Sequence, residues 1–148
     1  MLQMKVQGLV FDPIQNAYIV VMEQEESNAL MPIWIGRPEA NAIGLALEGI
    51  FPPRPLTHDL ISNIIDKLDA KIISVVLTDI KDSTYYSKIH LSYNDSELTL
   101  DARPSDAIAL ALRANAPIFA RDGLVKNTND TSQWLGGLRH EDMGDDEN

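Results

Sequence analysis

Three short runs of β-branched and other apolar residues open the chain, and turn-forming residues separate them. The first two runs, MLQMKVQGLVF and NAYIVVMEQ, flank the turn segment DPIQN, and this order predicts a β-hairpin. The third run, LMPIWIG, follows Asn28, which favours a turn. Because its proline, Pro32, has no backbone N–H, we expect this strand to lie at a sheet edge or the proline to stand at a strand start.

Four further runs predict strands in the second half of the chain. KIISVVLTDI, STYYSKIHLSYN and SELTLDA follow one another with the turn segments KDS and NDS between them. This order predicts a three-stranded antiparallel meander. APIFA, which follows the last apolar segment, predicts a short seventh strand.

The remaining apolar segments have helical spacing. Residues 39–50 carry few charges and many strong helix formers, and Pro38 stands at the first position of this predicted buried helix. Residues 58–70 place apolar side chains on one face, with Thr57 as the expected N-terminal cap. That face consists of Leu60, Ile61, Ile64, Ile65 and Leu68. A third helix follows Pro104.

Two of the predicted helices begin with the same short motif. IGRPEANAIGLAL and LDARPSDAIALAL both run from a strand through Arg-Pro into a helix, and their Ala-Ile pairs lie 65 positions apart. Proline suits a helix start, and Glu39 and Asp106 suit the positive end of a helix dipole. The small residues of each helix allow close packing against the sheet, the counterpart helix or a second subunit.

These elements together predict the α+β class. We expect a mixed, mainly antiparallel sheet of about seven strands with three helices. Two of the helices begin directly after a strand at an Arg-Pro pair, and we call each of these junctions an Arg-Pro corner. Residues 1–125 are expected to form one domain, and residues 126–148 an acidic, flexible tail.

The composition limits which metal ligands, membrane contacts and nucleic-acid contacts the chain can have. The chain lacks cysteine, which excludes disulfides and thiolate metal ligands, so a metal would need oxygen or histidine ligands. No apolar run approaches a membrane span and no secretory signal opens the chain, which predicts a soluble, cytoplasmic protein without membrane contact. The net charge of −10 disfavours nonspecific binding to nucleic acid unless cations or local basic groups offset the repulsion.

The polar residues at the Arg-Pro corners allow two interpretations. They can form ion pairs that fix the strand-to-helix corners. Alternatively, carboxylates there hold a divalent cation, Mg²⁺ or Mn²⁺, while guanidinium groups face a phosphate, which suits phosphodiester hydrolysis. The candidate metal ligands are Glu39, Asp59, Asp101 and Asp106, and the candidate phosphate-binding groups are Arg37, Arg54 and Arg103.

The segment PPRPLTHDL adds a candidate proton-transfer group. His58 can act as a general base or a ligand, and with Asp101 and Asp106 it completes the set of candidate catalytic residues. The alternative is that Thr57 caps a helix whose exposed first turn contains His58 and Asp59. The chain contains no Gly-rich phosphate loop in a strand-to-helix context.

Three stretches, PIWIGRPEANAIGLAL, PPRPLTHDL and LDARPSDAIALALRANAPIF, resemble the bifunctional nuclease domain family. The resemblance spans roughly residues 1–121 and implies a compact α+β domain, often dimeric, with DNase and RNase activity attributed to some plant members. It implies no established catalytic residues. Two hypotheses follow: the chain is a nuclease that acts on DNA or RNA with or without metal assistance, or it is a non-enzymatic homodimeric binding or regulatory module.

Overall fold

The computed structural model describes residues 1–125, so the predicted acidic tail lies outside the described residues. The described chain folds into one sheet of seven strands with three helices. In chain order the elements are β1 Leu2–Asp12, β2 Ala17–Gln24, β3 Leu30–Ile35, α1 Arg37–Glu48, α2 Thr57–Lys67, β4 Lys71–Lys81, β5 Thr84–Tyr93, β6 Ser96–Ala102, α3 Pro104–Ala114 and β7 Ile118–Ala120. The predicted α+β class is confirmed.

Two antiparallel meanders make up the sheet. The strand order is β3-β2-β1-β7-β4-β5-β6, and β7 joins the meanders by pairing antiparallel with β1 and parallel with β4. Each meander ends in a strand that leads into an Arg-Pro helix, so the doubled sequence motif corresponds to a doubled strand-strand-strand-helix arrangement. Pro32 lies in the edge strand β3, as predicted.

Tight turns fix the pairing in the second meander. Asp82 and Ser83 link β4 to β5, and Asn94 and Asp95 link β5 to β6. All four residues have positive φ, which is the conformation of a two-residue type I′ hairpin turn, and Asn and Asp tolerate it best. The turn signals of the sequence are therefore confirmed.

The helices lie over one face of the sheet with α3 in the middle. α3 contacts α1, α2, β4 and β5, while α1 contacts β2. The alanines Ala107, Ala109 and Ala111 of α3 are fully buried, and Ala42 of α1 is nearly so. The small-residue helices thus pack against each other within one chain, which resolves the alternatives that their sequences left open.

The main core lies between this helix layer and the sheet. It unites β-branched and other apolar residues of the inner strands with α1 and α3. A smaller cluster of Val10, Ile19 and Val21 is centred on the β1–β2 pair. Among the described residues, no helix is long and apolar enough to cross a membrane.

Three helix boundaries, one in α1 and two in α2, differ from the predicted ones. α1 begins at Arg37, so Pro38 occupies its second position. The cap of α2 is Leu56 and not Thr57, because the carboxylate of Asp59 accepts the hydrogen bond from the Leu56 backbone N–H at 3.0 Å. α2 ends at Lys67, and Asp69 adopts a left-handed conformation that ends the helical path.

Ile108, which is fully buried in α3, provides a test of this packing. We expect Ile108→Ala to lower the free energy of unfolding by about 2–5 kcal/mol, because it removes buried methyl groups and leaves a cavity. Ile14→Ala, in a turn and 90% exposed, is the control and should change it by less than about 0.5 kcal/mol. Chemical denaturation measures both values, and equal effects would contradict the assigned core.

Candidate functional site

The first turns of all three helices meet at one corner of the molecule. Glu39 lies in the first turn of α1, His58 in that of α2, and Asp106 in that of α3, where Arg103 is the N-terminal cap. Direct polar contacts connect these four residues. We call Glu39, His58, Arg103 and Asp106 the corner cluster.

The Asp106 carboxylate is the centre of the corner cluster. Its Oδ1 lies 2.8 Å from His58 Nε2, and its Oδ2 accepts a hydrogen bond from Arg103 Nε at 3.2 Å. Burial alone raises the pKa of Asp106, but the hydrogen bonds from His58 and Arg103 outweigh it and lower the pKa below its ordinary value. An ionised Asp106 requires a proton on His58 Nε2, so Nδ1 is the nitrogen available to a neutral His58 for accepting another proton.

Arg103 is the accessible cation of the corner cluster. Its side chain is 68% exposed, and its Nη2 lies 3.8 Å from Glu39 Oε2. This contact is long and partly solvated, so it is weak and can open at small cost. A guanidinium held on one side by Asp106 is oriented to bind an anion with its free N–H groups.

A cavity of about 320 Å³ opens beside Arg103 and Glu39. It lies between the end of β3, the β4–β5 turn and the start of α3. Its lining includes Trp34, Gly36, Glu39, Ser83, Thr84, Tyr85, Arg103 and Ser105. Because the N-termini of α1 and α3 both border it, the helix dipoles favour a negatively charged group there.

Gly36 makes room for Glu39 at this cavity. A Cβ atom at position 36 would stand 2.5 Å from Glu39 Oε1, so any other residue would displace the carboxylate. On the other side, the buried Ser87 hydroxyl donates to the carbonyl of Ala102 and holds the end of β6 directly before Arg103. Both strand-to-helix corners are thereby fixed around the cavity.

Asp59 belongs to a neighbouring ion pair. Its Oδ1 accepts from Arg113 Nε at 2.8 Å, and its Oδ2 accepts from the backbone N–H of Leu56. Arg113, 6% exposed, also donates to the carbonyl of Ala109 at 2.9 Å. The hydrogen bond from Arg113 is the largest cause of the lowered pKa of Asp59, followed by that from Leu56. This pair joins α2 to α3 and leaves Asp59 little capacity to bind a metal.

Three other predicted site residues lie apart from the corner cluster. Asp101, on β6, is 74% exposed and lies 3.6 Å from Lys88 Nζ; alternation along the strand turns it away from the helix-covered face. Arg37 donates to the Tyr18 hydroxyl at 3.3 Å and borders a separate groove along α1. Arg54 is exposed in the loop before α2.

The predicted ligand set of Glu39, Asp59, Asp101 and Asp106 is therefore not assembled. Within residues 1–125, no three His, Asp or Glu side chains are placed to hold a metal ion together. The physical reason is that the four carboxylates are distributed over three cationic neighbours: Arg103 contacts Glu39 and Asp106, Arg113 contacts Asp59, and Lys88 contacts Asp101.

Sequence reasoning missed Arg113, in the ion pair next to the corner cluster, and two residues that line the cavity. Arg113 stood in the last turn of α3 with no visible partner, and only the packing of α2 brings Asp59 to it. Ser105 and Tyr85 line the cavity, and burial raises the pKa of Tyr85. Ser105 directly follows the Arg-Pro pair, and this position was the one feature of the sequence that indicated a place in the site.

The fold and site define an α+β domain with a histidine–carboxylate–arginine chain beside an anion-favouring cavity. The family model described as "Bifunctional nuclease domain" matches residues 20–132. The chain belongs to the bifunctional nuclease domain family, and the resemblance inferred from its motifs is confirmed.

Several known proteins are similar to the chain. A Mycobacterium tuberculosis protein described as uncharacterized is 35% identical over 123 residues, which cover 83% of this chain and 73% of that protein. Bifunctional nuclease 1 of Oryza sativa subsp. japonica is 30% identical over 78% of this chain and 36% of its own length. Bifunctional nuclease 2 of Arabidopsis thaliana is 25% identical over 70% of this chain and 32% of its own length. The matches thus span about a third of these plant relatives.

The Asp59–Arg113 pair predicts a large stability effect. We expect Asp59→Asn to lower the free energy of unfolding by about 3 kcal/mol, because it leaves a buried guanidinium without its counter-charge. The double variant Asp59→Asn with Arg113→Met should lose less than the sum of the single variants. Urea denaturation of the four proteins measures this coupling, and simple additivity would contradict the pair.

The same pair predicts how stability depends on pH. Since the folded-state pKa of Asp59 lies below its ordinary 3.8, its contribution is present above that value and is lost as pH falls through the lower folded pKa. Wild type should therefore lose more stability on acidification across this range than Asp59→Asn does. Thermal melting between neutral and acidic pH measures the difference, and parallel curves would contradict it.

Proposed function

We propose that this chain hydrolyses nucleic-acid phosphodiesters at the corner cluster. The observation that carries the proposal is the chain of contacts from His58 through Asp106 to Arg103, beside the cavity that borders two helix N-termini. Similarity to plant proteins named bifunctional nucleases supports the reaction class.

Each group has a distinct role in the proposed reaction. Arg103 binds the phosphate through its exposed guanidinium and stabilises charge that develops on the phosphoryl oxygens. Asp106 holds both Arg103 and His58 in place. His58 accepts a proton through Nδ1 from the attacking water as the water oxygen bonds to phosphorus, while Asp106 stabilises the imidazolium that forms. The bond from phosphorus to the leaving oxygen breaks, and the imidazolium returns the proton to that oxygen.

We further propose that Mg²⁺ or Mn²⁺ assists the hydrolysis. Mg²⁺ in phosphoryl-transfer sites commonly uses one or two carboxylates, with substrate phosphate and water supplying the other ligands. Glu39 is the carboxylate that lines the cavity and would serve in this way. Such an ion would polarise the phosphate and would offset repulsion between the acidic protein and its substrate.

Cleavage of DNA and RNA by variants of His58 and Arg103 tests the proposal. We expect His58→Gln to lower the rate by about 10²–10⁴-fold, because it removes the proton acceptor. Arg103→Lys should retain less activity than wild type, since lysine lacks the fork-shaped donor set. His90→Gln, at a surface contact with Thr99 on the strands β5 and β6, is the matched control and should cleave like wild type.

Gel electrophoresis of the cleavage products measures the rate for each variant, and the melting temperature shows whether the variant is folded. Equal activity of wild type and His58→Gln would refute the role of the corner cluster. Chelation by EDTA followed by Mg²⁺ or Mn²⁺ tests the metal: activity unchanged by chelation would remove metal assistance and leave the role of His58 intact.

The alternative function, a non-enzymatic binding or regulatory module, has one specific observation in its favour. The buried Asp59–Arg113 pair shows that Asp59, in the segment PPRPLTHDL, holds α2 to α3. If this function is correct, pure wild type cleaves neither substrate with or without metal, and the variants change melting temperature alone.

A further inference from the structure

The cavity beside the corner cluster lies between two walls. One wall comes from the end of β3 and the start of α1, and the other comes from the β4–β5 turn, the start of β5 and the start of α3. The two walls therefore belong to the two Arg-Pro corners. A space bounded in this way suits a flat group that the protein can contact on both faces.

The lining residues differ in exposure from the mouth of the cavity to its floor. The side chain of Arg103 is 68% exposed and that of Glu39 is 22% exposed. Ile33 and Ser105 are only 4% and 6% exposed, and Tyr85 is half-buried. A phosphate bound by Arg103 thus stays at the mouth, and the interior is left for a group that is attached to this phosphate.

The chemistry of the lining suits a neutral group with polar edges. Among the described residues that line the cavity, one cation and one carboxylate, Arg103 and Glu39, offset each other. Hydroxyl groups on the lining can donate and accept hydrogen bonds, and the remaining side chains are mainly apolar. A second anion in the interior would face Glu39, whereas a nucleobase has flat faces and edges that carry both donors and acceptors.

The size of the cavity limits the occupant to one such group. Its volume of about 320 Å³ lies at the lower end of the roughly 300–1,000 Å³ found for small-molecule pockets. We infer space for a single base and not for two stacked bases.

The charge of the chain gives a physical reason for contact with a base. The net charge of −10 repels a polyanion, so contacts to phosphate alone bind weakly. Stacking of a base on an aromatic ring adds affinity that does not depend on this charge. Two aromatic residues line the cavity: Tyr85, which is half-buried, and Trp34, which is 43% exposed and lies nearer the mouth.

We propose that the cavity binds one unpaired nucleobase and that the substrate of this chain is therefore single-stranded nucleic acid. The Tyr85 ring contacts the face of the base, while the phosphate of the same nucleotide lies on Arg103. The inference rests on the proposed function, because it takes Arg103 as the phosphate-binding group. A base in a duplex is paired and stacked, so it must leave the double helix before it can enter, and this step costs free energy.

Binding measurements test the inference without cleavage. A fluorescein-labelled phosphorothioate oligonucleotide is offered as a single strand, as a duplex, and as a single strand that keeps its phosphates but has abasic sites throughout. We expect the single strand to bind at least about tenfold tighter than the duplex, because its bases are unpaired. It should bind about 5–100-fold tighter than the abasic strand, because the abasic strand cannot stack. Fluorescence anisotropy measures the three dissociation constants.

Variants of neighbouring tyrosines locate the binding to the cavity. Tyr85→Leu should weaken binding of the single strand about 5–100-fold, because it removes the aromatic ring, whereas Tyr85→Phe should bind like wild type. Tyr86→Leu is the matched control: Tyr86 is the next residue of β5, is 42% exposed and points to the other face of the sheet. Trp34→Leu, at a half-exposed position, should also weaken binding and replaces Tyr85→Leu if circular dichroism shows that variant to be unfolded.

The possible results separate this inference from the proposed function. Equal affinity for the single strand, the duplex and the abasic strand would overturn the inference even if the chain cleaves nucleic acid. Affinities that neither Tyr85→Leu nor Trp34→Leu changes would overturn it as well, because the base would then bind elsewhere. Binding that depends on the bases and on Tyr85, in a pure protein that cleaves nothing, would support the base site and refute the hydrolysis.

Discussion

The carboxylate of Asp106 is the interaction on which this corner of the molecule depends. It contacts a histidine from one helix and an arginine at the start of another, and Arg103 extends the contacts to Glu39 on the third. Three segments that are distant in the chain are thereby held together around one partly buried charge. Asp106 remains ionised because the hydrogen bonds it accepts outweigh the cost of its burial.

The duplicated meander explains why the helix starts can meet. Each Arg-Pro motif follows the last strand of a meander, and β7 joins the two meanders at the centre of the sheet. α1 and α3 then lie side by side because their alanines permit close approach. α2 fills the remaining side of α3, where the Asp59–Arg113 pair holds it in place. The fold therefore separates a stabilising pair, Asp59 with Arg113, from a more exposed chain of charges that ends at Arg103.

Local patterns in the sequence predicted most of the fold. The strands, the two hairpin turns of the second meander and the helix start at Pro104 follow from alternation, Asn/Asp turn residues and proline chemistry, which act within a few residues. The site was predicted in part: Glu39, His58, Arg103 and Asp106 do converge. Asp101 lies apart from the corner cluster, although it was predicted to belong to the same site. Its closeness to Arg103 in the sequence does not determine which face of the strand its side chain occupies. The Asp59–Arg113 pair depends on how α2 packs against α3, and helical spacing alone predicts an apolar face without indicating what covers it.

We propose that the corner cluster binds phosphate through Arg103 and that Nδ1 of His58 accepts a proton there. Nuclear magnetic resonance of the arginine Nε–H and histidine ring signals tests it most directly, during titration with a non-hydrolysable phosphorothioate dinucleotide. We expect the Arg103 and His58 signals to shift together while the signal of Arg113, which is buried against Asp59, does not shift. Shifts confined to Arg37 or Arg54, or no shift at all, would contradict it.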